Sequence, residues 1–224
     1  LLEGNNSVRK YINEIAALSS VGGVSPFRMA IHKKNENIAL EKRFDLNTTV
    51  LSGNGNEANL DAFIKMTALH FTPSIIDKGV LGQYTRVKGE ELAMRGRVPE
   101  LVLDDTLSNI IYNKSKYIST YDVEDFRSVN YTSAISFINE RFSNAANFHF
   151  IFAGDIDESE LRRLVTRHIA TLPGNQTAKE NWKTVPIYLK KQNQRNFGVA
   201  LGLLAAFVLW TILICFVDVQ AIGP

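Results

Sequence analysis

Residues 147–174, NFHFIFAGDIDESELRRLVTRHIATLPG, read as one unit. Phe148 to Ala153 is a short apolar run rich in aromatics, which predicts a buried strand. Gly154 breaks it. Asp157 then caps a helix, with Glu160 three residues on to complete a reciprocal cap. Leu161, Leu164, Val165, His168, Ile169 and Leu172 follow at helical spacing and define one apolar face. Pro173-Gly174 stops the helix. The unit is a strand, a tight turn and an amphipathic helix laid back on a sheet.

Upstream, elements alternate. Val8, Tyr11, Ile12, Ile15 and Leu18 give a helix from Ser7 to Ser20 that ends before Gly22-Gly23. Ser25-Pro26 starts a short helix, cap then proline. Ile38 to Leu46 alternates as a half-exposed strand, and Thr48 to Ser52 continues it or begins the next. Helices are expected over Asn59 to Phe71, Ser74 to about Arg95, from Val98-Pro99 through Ile111, over Val123 to Val129, and over Thr132 to Phe142. Helices and strands in this mixed order predict an open α/β layer.

The 224 residues suffice for one or two small domains. A net charge of +2 argues against a nucleic-acid binder, which carries a strong basic bias. The single cysteine, Cys215, excludes an intrachain disulfide. Leu1 stands first and no signal peptide is visible, so the expectation is a piece of a longer product. Asn175 to Asn196 is polar with a local basic excess and reads as a linker. Phe197 to Val217 is an uncharged apolar run long enough to span a bilayer core of about 30 Å. The basic flank, Lys183, Lys190, Lys191 and Arg195, against Asp218 beyond the run, places the N-terminal side in the cytoplasm.

A family resemblance rests on "VGGVSPFRMAIHKK" (21–34), "TTVLSGNGNEANLDAFIKMTALHFT" (48–72), "DTLSNIIYNKSKY" (105–117), "ERFSNAANFHFIFAGDID" (140–157) and the closing "TLPG" (171–174). In order and spacing these resemble the pitrilysin (insulinase) family of zinc metallopeptidases. The likeness is to the second, non-catalytic half of the bacterial two-half members and runs from about Ser7 to Gly174. It implies an α+β fold, an antiparallel sheet covered by helices; the apolar run read above adds one C-terminal transmembrane helix. With the linker and the apolar run read above, the chain divides into an incomplete peptidase repeat (1–174), a polar basic linker (175–196) and the membrane helix (197–217). It further implies that the intact protein hydrolyses peptides with zinc-activated water, and that this chain shapes the peptide-binding chamber without cleaving. The partners are then a catalytic half carrying the zinc, a peptide substrate, and the membrane through 197–217, with no nucleic acid. Bacterial relatives work outside the cytoplasm, against the basic flank. Two alternatives stand: a membrane-anchored non-enzymatic interaction scaffold, and a fusion to the start of a lipid-phosphate phosphatase. For the latter, "FVLWTILICFVDVQAIGP" (207–224) weakly resembles the opening membrane segment of phosphatidic-acid-phosphatase-type enzymes.

The chemistry of a zinc site is tested against four histidines, His32, His70, His149 and His168. The family's His-x-x-Glu-His places two of them four apart on one helix with a glutamate as base; no pair here has that spacing, so no metal ligand is assigned. Gly53-Asn54-Gly55-Asn56-Glu57-Ala58, even with Asp77 downstream, reads as a turn between strand and helix rather than a phosphate cradle. Adjacent Asp104 and Asp105 point about 100° apart on a helix and share no site. Asp155, Asp157 and Glu158 lack the oxygen spacing of a calcium loop. No Gly-x-Ser-x-Gly elbow occurs. No catalytic residue is assigned. The candidate binding surface is the loop with Tyr112, Lys114, Lys116 and Tyr117, where tyrosines beside lysines suit a peptide backbone and its carboxylates.

Overall fold

Ten regular elements follow one another in the computed structural model, which describes residues 6–112, 115 and 122–175. They are α1 (Asn6–Leu18), α2 (Pro26–Asn35), β1 (Ala39–Phe44), β2 (Thr49–Asn54), α3 (Leu60–Leu69), α4 (Lys78–Arg95), α5 (Pro99–Ile111), α6 (Val123–Arg127), α7 (Tyr131–Phe142) and α8 (Glu158–His168). All described residues lie in one compact unit.

Local chemistry sets most of the boundaries. The Ser25 hydroxyl accepts from the Arg28 N–H and Pro26 opens α2. Asp77 caps α4 by accepting from the Gly79 and Val80 N–H groups. Asp157 caps α8 through the Ser159 N–H. The reciprocal half of that cap does not form: the Glu160 carboxylate pairs with Arg163 at 2.6 and 2.8 Å instead. Gly22 sits at φ +59° in a tight turn closed by the Val21–Val24 bridge, where a Cβ would meet the Leu69 side chain at 2.7 Å. Only glycine satisfies both the left-handed backbone and that close approach.

The core gathers around α1. Val8, Tyr11, Ile12, Ile15 and Ala16 pack with Phe44 of β1, Phe126 of α6 and Ala134, Ile138 and Phe142 of α7. Aromatic rings knit this centre, with Phe142 edge-on to Phe44 and Phe71 and stacked on Phe148. A second cluster joins Ile64 of α3 to Leu164 of α8 and Ile169. Asn139 of α7 clasps the chain before α4, accepting from the Ser74 N–H and donating to its carbonyl.

Four expectations are corrected here. The antiparallel sheet covered by helices is, among the described residues, a single two-stranded ribbon, β1 with β2, in a largely helical structure. Phe148 to Ala153 is not a buried strand: Phe148, Phe150 and Phe152 turn inward while His149, Ile151 (86% exposed) and Ala153 face out, and no ladder forms on it. The period of 2 is present, but Ile151 hides it in the sequence by being apolar on the open face. The C-terminal transmembrane helix is likewise withdrawn: no helix among the described residues is long and apolar enough to cross a membrane. Residues 197–217, on which that expectation fell, lie outside the described residues. The localisation built on it, a single C-terminal span with the N-terminal part cytoplasmic, goes with it.

Candidate functional site

Between β2 and residues 147–156 lies a groove of about 1160 Å³. Its floor carries Phe44, Leu51, Phe63, Phe71 and the inward-facing Phe148, Phe150 and Phe152. Its two walls run in the same direction. Thr49 is opposite Phe44 in the ribbon, and Phe44 shares Phe142 with Phe148. At the other end Gly53 lies over Phe63, which clusters with Phe150 and Phe152.

The ribbon's two outer edges differ. Asp45 N–H donates to the Thr48 carbonyl, closing a two-residue turn at Leu46-Asn47. Counting back from that bonded pair, Phe44, Lys42 and Leu40 of β1, and Thr49, Leu51 and Gly53 of β2, point their backbone groups outward. On β1 that edge is dressed in part: Asn13 accepts from the Phe44 N–H at 2.7 Å and donates to its carbonyl at 3.1 Å, and the Lys33 ammonium donates to the Leu40 carbonyl, while no described group pairs with the outward backbone groups of Lys42. On β2 no described group pairs with the outward N–H and C=O groups of Thr49, Leu51 and Gly53. Across the groove, the backbone from His149 to Asp155 is equally without hydrogen-bond partners among the described residues.

A cationic cluster lies on the inner side of β1. The Lys42 ammonium donates to the Ser19 hydroxyl at 2.9 Å, and that hydroxyl donates to the Ala16 carbonyl. Burial, and then Lys33, lowers the Lys42 pKa to about 8. A lysine so depressed beside a serine is the chemistry of a nucleophilic pair. Ser19, however, is 2% exposed, so no substrate reaches it, and the pair anchors β1 to the end of α1. His70 is buried nearby, its Nδ1 without a partner among the described residues. Burial first, then Lys42 and Lys33, pushes its pKa down to about 3.

The four histidines do not converge. His32 is exposed on α2, His70 is in the core, and His149 is exposed on the groove wall. His168 meets Asp61 at 2.9 Å, tying α8 to α3. That hydrogen bond is the first cause holding the Asp61 carboxyl below its usual range. Among the described residues, no group of three or more His, Cys, Asp or Glu side chains is placed to hold a metal ion, so the side chains present do not fit a zinc centre. Asp105 receives the Arg95 guanidinium in a two-point contact at 2.7 and 3.0 Å, which separates it from Asp104. The Gly53–Glu57 stretch leaves β2 for the short turn Glu57–Asn59 that opens α3, with Asn56 capping it.

Of the candidate binding loop, Tyr112 is the half-buried C-cap of α5 and does not line the groove. Lys114, Lys116 and Tyr117 lie outside the described residues. The groove was missed from the sequence. The signal for it was the alternation of Phe148, Phe150 and Phe152, together with a β2 edge ending in Gly53-Asn54-Gly55.

No protein-family model and no curated protein matches the chain. Solved structures do. The periplasmic protease PqqL from Escherichia coli superposes with a TM-score of 0.66 at 14% identity, over 84% of this chain and 21% of that one. A protease from Helicobacter pylori gives 0.60 at 15% identity, over 85% of this chain and 45% of that one. The ferredoxin protease FusC, solved in complex with Arabidopsis ferredoxin, gives 0.57 at 11% identity, over 83% of this chain and 20% of that one. The chain thus spans less than half the length of these proteins. At such identity the likeness is one of fold: the described unit has the fold of part of the pitrilysin-like peptidases.

Proposed function

We propose that this chain is part of the non-catalytic half of a zinc-dependent metalloendopeptidase, where it shapes the chamber that holds the peptide. The supporting observation is the fold shared with the three proteases over more than four-fifths of the chain. On this reading zinc and the water it activates belong to a different half, bearing His-x-x-Glu-His, in keeping with the dispersal of the four histidines here. The groove between β2 and residues 147–156 is the peptide-holding surface on this side, and the Tyr112–Tyr117 loop is a second candidate contact. The test is reconstitution. A catalytic half from the same gene product, or from a neighbouring one, is assayed on a fluorogenic peptide with and without this chain. Cleavage that needs both, and that a chelator stops, supports the reading; a catalytic half equally active alone contradicts it.

A second reading, a non-enzymatic interaction module, is favoured by α5. This helix buries no residue and exposes Val102, Leu103, Leu107, Ile110 and Ile111. An apolar face of this kind marks a contact with another polypeptide. A stable complex with a protein lacking the zinc motif, in place of a peptidase half, decides for this reading.

A further inference from the structure

Helix α5 is turned inside out. At about 100° per residue, Leu101, Asp105 and Ser108 share its half-buried side, while Leu103, Leu107, Ile110 and Ile111 share its exposed side. A surface helix normally faces the other way, apolar stripe to the core. Its orientation is held: the Arg95 guanidinium grips Asp105 at two points, and turning α5 about its axis breaks that contact. Leu103, Leu107 and Ile110 are four and then three residues apart, the spacing of a seam packed by another helix. A helix satisfies its own backbone, so an added strand finds few hydrogen bonds there. The charges beside the seam have one sign. By the same 100° steps, Glu100 and Asp104 border it, and neither is in an ion pair among the described residues. α5 itself carries no cation. Arg97, before it, is directed at the Met94 Sδ, 3.9 Å away. Lys114 and Lys116, beyond it, lie outside the described residues. A helix that lies on an anionic membrane carries lysine and arginine along this border instead.

We propose that α5 is the docking surface for an amphipathic helix of a separate protein, with a leucine-rich seam that packs on Leu103, Leu107, Ile110 and Ile111 and a lysine or arginine border that meets Glu100 and Asp104. The 13 residues of α5 span about 20 Å, so the docked helix has about three to four turns. Burial of the seam supplies the affinity. The opposed charges set the register and turn away an acidic helix. This deepens the interaction-module reading above, and rests on it for the class of ligand; it requires no zinc, no catalytic half and nothing of the groove.

The experiment uses the whole chain and a stapled, fluorescein-labelled helix of about 15 residues, read by anisotropy. The peptide has leucines alternately four and three residues apart, and lysines along one border. Saturable binding is expected. Leu103→Ser and Leu107→Ser each weaken it about tenfold or more, as loss of a central apolar contact does. Replacing the peptide's lysines by glutamates weakens it about threefold or more, and salt erases that difference. The double variant Glu100→Lys, Asp104→Lys reverses the preference between the two peptides. If a variant loses its circular dichroism, the two peptides compared on the unaltered chain decide alone. Absent saturable binding, equal binding of the two peptides at low salt, or a dimer of the chain that the peptide does not dissociate overturns the proposal. Pelleting with anionic vesicles that Leu107→Ser abolishes also overturns it, because α5 is then a membrane surface. A partner protein docked on another face overturns this proposal and leaves the interaction-module reading standing. Peptide binding at α5 in a chain whose partner proves to carry the zinc motif does the reverse.

Discussion

Asn13 on α1 closes both outward backbone groups of Phe44 on β1, donating to its carbonyl and accepting from its N–H. One amide side chain thereby does for β1 what a further strand does elsewhere in a sheet. It also fixes α1 against the ribbon at the residue where the main core begins.

Asn13→Ala leaves the Phe44 N–H and carbonyl orphaned beside that core. The expected cost is about 2 kcal/mol. Urea unfolding should show a lower midpoint with the slope unchanged. An unaltered midpoint would mean that water replaces Asn13 without loss.

The buried cations make stability depend on pH in two windows. His70 has a folded pKa of about 3 against 6.5 when unfolded. Between those values the unfolded chain holds the proton and the folded chain does not, so stability falls as pH drops from 6.5 towards 3. Asp61, held low by His168, acts in the same sense at the acid end. Lys42 has a folded pKa of about 8 against 10.5. By the same rule, stability rises as pH climbs from 8 to 10.5. Melting temperatures across pH should show both slopes. His70→Leu should flatten the acid slope and Lys42→Met the alkaline rise; unchanged profiles in the variants would assign the slopes elsewhere.

Gly22→Ala places a methyl group against Leu69 on a backbone with φ +59°. The left-handed strain and the crowding together should lower stability by about 2 kcal/mol. Gly23→Ala is the informative control, since φ +74° carries the same strain while nothing lies within 4 Å of its Cβ. It should cost about half as much, measured in the same urea titration.

Leu164 is fully buried between α8 and Ile64 of α3. Leu164→Ala should destabilise the chain by about 3 kcal/mol. A cost below about 1 kcal/mol would mean that α8 packs loosely on α3.

α8 was legible in the sequence because one signal dominated it. Asp157, the apolar period from Leu161 to Leu172 and the Pro173-Gly174 stop all agree, and the structure ends α8 one turn early with its tail still packed. α2, with Ser25-Pro26, was legible for the same reason. Phe148 to Ala153 was misread because hydropathy shows which residues are apolar, not which are covered, and Ile151 is apolar and bare. The groove depends on partners far apart in sequence. Asn13 lies 31 residues from Phe44, and nothing local marks one asparagine as an edge cover. Lys42 and His70 likewise acquire their depressed pKa values only when the fold buries them together.

One edge of the ribbon is closed at Phe44 by Asn13, and the other has no partner among the described residues. Amide hydrogen exchange on the whole chain reads this difference residue by residue. A protected Phe44 amide beside fast exchange at Thr49, Leu51 and Gly53 is the expected result. Equal protection of Phe44, Thr49, Leu51 and Gly53 in the free chain would contradict it, because the β2 edge would then already be paired.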